Sequence, residues 1–295
     1  MSSPKREKPK STSMASKSQR PKVGGTVSTL LPNAPLTEVV FEFRWQLLGG
    51  AEIPGPFKMD PGFHVLADKF PSAVAKLGFD YSKKMSVDPA PPAYSIDRRF
   101  YRSENQPFPL LQIGPGIFAA NESSGYEWAN YREMCLSGLK CLLSAYPPMD
   151  SFKVHPNYLE LRYIDTFDAD LISGKDFLVF LNENTNIRID HPSPDFALLE
   201  GVSAGQLALN FRTKLPKDGT FSVLVGSAKR DDLPSIILQS KVVSNADVLP
   251  AGKTAIDQIR FVKRWLDEAH AVTSSYFKGF VRQELMQKFA GKSSE

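Results

Sequence analysis

The sequence predicts an α+β fold of two pseudo-repeats. Each repeat runs strand, short helix, two or three antiparallel strands and a long helix, and together they form one continuous antiparallel sheet with the long helices on one face. Two stretches, residues 39–47 and 158–167, alternate apolar and polar side chains with the period of a half-buried strand. A third, residues 110–146, reads as strand, Gly-containing turn, strand and capped helix. The same order of elements recurs in the second half of the chain, the signature of an internal repeat.

The folded part starts near Leu31. In residues 39–47, Phe41, Phe43 and Trp45 fall on one strand face, and Val40, Glu42, Arg44 and Gln46 on the other. Residues 63–70 read as a short helix that Pro71 ends. Residues 79–87 suit an irregular edge strand. Residues 93–102 suit a strand with Tyr94, Ile96, Arg98, Phe100 and Arg102 on one side. Leu111 and Ile113, then Ile117 and Ala119, flank Gly114-Pro115-Gly116 as a hairpin; Pro115 removes a backbone donor where a phosphate-cradling loop needs one. Ser124 and Glu127 make a capping box for a helix whose apolar positions run from Trp128 through Tyr131, Cys135, Leu139 and Leu142 to Tyr146, where Pro147 and Pro148 stop it. Trp128 in the first turn is expected to pack, a pocket rim being its other role.

In the second half, Ser173 and Asp176 cap a short helix through Leu181. Residues 206–214 and 220–226 are strands joined by the turn Pro216-Lys217-Asp218-Gly219, and residues 235–243 are a further strand. Thr254 caps a long helix that Gly279 breaks, before a last segment at 282–289. FEFRW at 41–45 and LELRY at 159–163 share the pattern apolar, Glu, apolar, Arg, aromatic. The expected division is a disordered basic tail at 1–30, repeats at 31–150 and 151–290, and a disordered end at 291–295. Two such repeats joined edge to edge resemble the saddle plan of the TATA-binding protein in architecture alone, which implies nothing about DNA.

Four segments carry a family resemblance: LPNAPLTEVVFEFRW, LQIGPGIFAANESSGYEWANYREM, LELRYIDTF and WLDEAHAVTSSYFKGFV, in that order. Together they resemble an uncharacterised, sporadically distributed prokaryotic family over residues 31–284. The resemblance implies these domain boundaries and a cytoplasmic location; it brings no activity and no catalytic residues.

Composition narrows the function classes. The net charge of +4 hides an asymmetry, because the first 22 residues carry seven basic side chains against one acidic and the rest of the 295 residues therefore carries −2. A tail of that kind suits nucleic acid or an acidic partner; the folded body has no such bias. Rich in Ser, Pro and Lys, the tail cannot bury enough surface to fold alone. No stretch is long and apolar enough for a membrane span, and no secretory leader is legible, so a membrane role is not expected. Cys135 and Cys141, six positions apart on one helix, point to different sides and read as buried thiols of a reducing compartment.

Motifs for common chemistries are weak. Gly201-Val202-Ser203-Ala204-Gly205 matches the hydrolase elbow pattern, but a strand follows it where that elbow needs a helix. Asp267 and His270, one helical turn apart, are expected to contact each other. His64, His155, His191 and His270 have no metal-binding spacing, so neither a metal nor another cofactor is expected. Charge runs such as Lys229-Arg230-Asp231-Asp232 read as solvated turns.

The polar set with the most interest is Glu42, Arg44, Glu160 and Arg162, with Asp165 nearby. With the two central strands antiparallel, Glu42 is expected to face Arg162 and Arg44 to face Glu160, a ladder that sets register. In the functional alternative, the same five residues line a concave sheet surface that binds a polar ligand. The leading expectation is a non-catalytic interaction or sensor module with a protein partner. The alternatives are an enzyme or small-ligand-binding protein using that face, and nucleic-acid binding through the tail.

Overall fold

The two alternating stretches become the two central strands of one sheet. The computed structural model describes residues 31–48, 59–86, 91–123, 125–149, 152–189, 205–245 and 254–291. In chain order its elements are β1 (Leu36–Trp45), α1 (Phe63–Ala75), β2 (Tyr81–Lys84), β3 (Arg98–Ser103), β4 (Gln106–Gly114), β5 (Ile117–Glu122), α2 (Trp128–Ala145), β6 (Pro156–Phe167), α3 (Ala169–Ile172), α4 (Phe177–Asn184), β7 (Gln206–Arg212), β8 (Thr220–Arg230), β9 (Leu233–Asn245), α5 (Ala255–Phe280) and α6 (Gln283–Phe289). All neighbouring strands are antiparallel, in the order β2-β3-β4-β5-β1-β6-β9-β8-β7. The α+β class with one continuous antiparallel sheet is therefore as the sequence predicts.

Alternation along β1 explains the layering. Phe41, Phe43 and Trp45 are fully buried, and Phe41 packs against Phe118 of β5 and Trp265 of α5. Phe70 of α1 meets Phe118 edge-on, while Phe180 of α4 and Phe289 of α6 pack on Phe167 of β6. These contacts put the helices on one face, with each buried ring contributing roughly 1.5–3 kcal/mol. Val40, Leu110, Ile117 and Ala119 are also shielded but stand outside this core cluster, on the opposite face. The short edge strand β2 is exposed along its length and carries Lys83 and Lys84, which discourage pairing with another chain. Among the described residues no helix is long and apolar enough to cross a membrane.

Asp60 ties the first half together. Its carboxylate accepts from Trp45 Nε1 at 3.1 Å, Gly116 N at 2.9 Å, Gly62 N at 3.1 Å and the Tyr146 hydroxyl. One side chain thus joins β1, the start of α1, the β4–β5 turn and the end of α2. Gly62 has to be glycine, since a Cβ there would lie 2.5 Å from the Tyr146 ring.

Several boundaries differ from expectation. Helix α1 runs on through Pro71, because the Ala67 carbonyl that proline leaves unpaired accepts from Arg98 Nη1 at 2.9 Å. Arg98→Met should therefore cost about 1–3 kcal/mol, read as a lower urea midpoint. Residues 93–97 turn instead of extending, with Tyr94 at φ 61°. Helix α2 starts at Trp128 with Glu127 as an extended cap; Ser124, the other half of the expected capping box, lies outside the described residues. Asp176 caps α4 as expected, through Val179 N at 2.8 Å, but Ser173 instead closes the unexpected helix α3 in the left-handed region. Helix α5 continues past Gly279 to Phe280. Cys135 is buried, Cys141 is half-buried, and neither is in a disulfide. The expected disordered segments lie outside the described residues, apart from Gly291.

Candidate functional site

Strand β6 presents Leu159, Leu161, Tyr163, Asp165 and Phe167 to the helix layer, so an acid occupies a position that alternation reserves for the core. Around Asp165 the layer does not close. A cavity of about 460 Å³ lies between residues 31–36, the loop entering α2 and the second half of α5. Its polar and aromatic lining includes Tyr126, Trp128, Tyr163, Asp165, Ser240 and His270.

Three of these side chains form a chain of hydrogen bonds. The hydroxyls of Tyr126 and Tyr163 are 2.8 Å apart, and that of Tyr163 is 2.7 Å from His270 Nδ1. The His270 ring stacks on Trp128 at 4.0 Å between centroids, with the planes 8° apart. Burial, reinforced by Lys278, pushes the imidazole down to about 4, so His270 is neutral near neutral pH. The neutral ring carries a single N–H, so its tautomer sets the direction in which the protons run along this chain. Burial also pushes both tyrosine hydroxyls up, so they stay protonated.

Asp165 stands apart from this chain. It is 6% exposed, and its carboxyl has no hydrogen bond or ion pair among the described residues. Burial alone raises it from 3.8 to about 7. A buried carboxylate without a partner costs several kcal/mol, which folded chains usually avoid by pairing or by substitution.

The other four residues singled out from the sequence lie on the opposite sheet face, so Asp165 does not share a surface with them. The central strands are antiparallel as expected, but the register puts Glu42 opposite Glu160, Val40 opposite Arg162 and Arg44 opposite Tyr158. The expected ladder of Glu42 to Arg162 and Arg44 to Glu160 is thus not the direct pairing. Ion pairs instead run along each strand, Arg44 to Glu42 and Arg162 Nε to Glu160 at 3.4 Å. Glu160 is 3% exposed and also accepts from the Tyr158 hydroxyl at 2.5 Å, with Lys241 Nζ at 3.5 Å. Burial, and secondarily Glu160, raises the Glu42 carboxyl, which Arg44 opposes. Glu42→Gln should therefore leave stability within about 1 kcal/mol in urea unfolding. Loss of Glu160 should cost more, about 2–4 kcal/mol, because three partners lose their acceptor.

Asp267 and His270 also part company. Asp267 Oδ1 accepts from Arg132 Nη1 at 2.8 Å, linking α2 to α5, while His270 turns to Tyr163. Residues 201–204 and His191 lie outside the described residues, so nothing further attaches to the elbow pattern. Among the described residues no three His, Cys, Asp or Glu side chains are grouped to hold a metal. A larger open groove of about 830 Å³ beside α5 is floored by Phe211, Phe221 and Tyr276 and contains no buried unpartnered charge among the described residues.

Fold and site together define an α+β protein with a polar, aromatic-lined cavity between its sheet and its helix layer. The chain matches no protein-family model and no curated protein.

Proposed function

We propose that the protein is a binding module for a small polar molecule held in the cavity over Asp165. The observation that carries this is the Asp165 carboxyl, nearly fully buried, facing a cavity and without a hydrogen-bond or ion-pair partner among the described residues. Natural cores pair such groups, so a donor brought by a ligand is the missing half. A cavity of about 460 Å³ suits a metabolite-sized molecule. The face carrying Glu42, Arg44, Glu160 and Arg162 supports the rival site less well, because its charges already engage one another. The sensor role expected from the sequence fits this reading, with the cavity as its input.

We further propose that the module arose by repetition, on a saddle plan like that of the TATA-binding protein. The strand order outward from β1 is β5, β4, β3, and outward from β6 it is β9, β8, β7, which supports the repeat. The site then belongs to neither half alone, since β6 and α5 of one meet Tyr126 and Trp128 of the other. The family resemblance adds boundaries to this proposal and no chemistry.

The test compares immobilised wild-type chain and Asp165→Asn after exposure to a small-molecule extract of the source cells. Mass spectrometry of what each retains should show at least one species held by wild type and lost by the variant. Identical retained sets would sink the assignment of the site.

A further inference from the structure

We infer that the cavity selects a small organic amine, bound as its ammonium ion with the N–H groups on the Asp165 carboxylate. This rests on the ligand-binding reading above and adds the chemical class. Asp165 offers only acceptors once ionised, so its partner must donate, and a cation satisfies the charge as well as the hydrogen bonds. A bare metal ion would require several oxygen ligands, and no such group surrounds Asp165 among the described residues. An ammonium carries its own donors and needs a single carboxylate. The rings of Tyr126, Tyr163 and Trp128 line the same cavity and can present π faces to a cation. Leu31, Leu36 and Phe277 offer apolar surface for the hydrocarbon body of the amine.

The ionisable groups facing Asp165 across the cavity are Tyr163 on β6, Tyr126 and Glu127 at the entry to α2, and His270 and Lys278 on α5. Burial raises both tyrosines and holds His270 down at about 4, which leaves Asp165, at about 7, as the buried group that changes charge near neutrality. An ammonium ion meets the ionised carboxylate only. Affinity should therefore rise as pH increases towards and just past 7, and binding on the acid side should release a proton from Asp165.

The experiment uses two sets of compounds with matched skeletons: phenethylamine, phenethyl alcohol and hydrocinnamate, and butylamine, butanol and butyrate. Saturation-transfer NMR measures binding at millimolar concentration to wild type and Asp165→Asn. Calorimetry in buffers of different ionisation heat measures the proton. The expected result is binding of the amines in preference to the alcohols and carboxylates, weakened about thirtyfold or more in Asp165→Asn, with proton release below neutrality. Alcohols or carboxylates that bind as well as the amines would overturn the amine assignment and leave a ligand cavity standing. Failure of every skeleton to bind would remove both readings. The selectivity and the proton release are read on wild type alone, so they decide the matter even where the variant misfolds.

Discussion

Asp165→Asn is expected to make the ligand-free protein more stable near neutral pH and to expose an acid sensitivity that wild type conceals. The Asp165 carboxyl is raised from 3.8 to about 7 in the fold, so the folded state holds a proton that the unfolded chain releases. Its contribution is full below 3.8 and is lost as pH rises through about 7, a change of roughly 4 kcal/mol at most. His270 acts with the opposite sign. Lowered from 6.5 to about 4, it contributes stability above 6.5 that is lost as pH falls towards 4. Between those limits the two slopes oppose each other in wild type.

Urea unfolding of wild type, Asp165→Asn and His270→Gln across pH 4 to 7 separates them. Asp165→Asn should lose stability on acidification below about 6.5, and His270→Gln should lose it as pH rises towards 7. Expressed as differences from wild type, contributions from other raised carboxyls such as Asp60 and Glu122 cancel. Parallel pH profiles for all three proteins would contradict the placement of Asp165 and His270. A gain in stability from removing an ionisable group is itself informative, because sites shaped for a ligand carry such costs.

Asp60→Ala is expected to give the largest loss, about 3–5 kcal/mol or more, enough to unfold a marginal domain. The substitution leaves Trp45 Nε1, the Gly116 N–H and the Tyr146 hydroxyl without their acceptor in a buried space, and the Gly62 N–H with the Tyr146 oxygen alone, at 3.3 Å. Each orphaned donor costs about 1–3 kcal/mol, reduced where water can enter. Asp60→Asn should fall between wild type and Asp60→Ala, since an amide oxygen still accepts from some of these donors while its NH2 is set against others. Circular dichroism with urea titration reads both. A loss below about 1 kcal/mol for the alanine variant would show that the four bonds do not act as a clamp.

Much of the sheet was legible from the chain because period-two alternation reports one face without knowledge of what covers it. Phe41, Phe43 and Trp45 are buried together for that reason, and so are Leu159 and Leu161. The same parity, followed four residues further, separates Asp165 from Glu160 and Arg162; proximity in sequence concealed this. Tyr126, Tyr163 and His270 were not legible as a site, since they come from a loop, a strand and a helix as many as 144 positions apart in the numbering. Pro71 misled for a related reason. Its helix survives because Arg98, 31 residues from Ala67, takes the carbonyl that proline strands.

By itself the sequence determined the α+β class, the buried faces of the two central strands, the hairpin around Gly114 to Gly116 and the cap of α5, all of which depend on contacts between residues close in the chain or on which face a side chain takes. Only the tertiary structure decided that Glu42 lies opposite Glu160, that Asp165 has no partner among the described residues, and that a cavity remains above it. Register and cavities come from how distant elements settle against one another, where a shift of one residue reassigns every cross-strand neighbour.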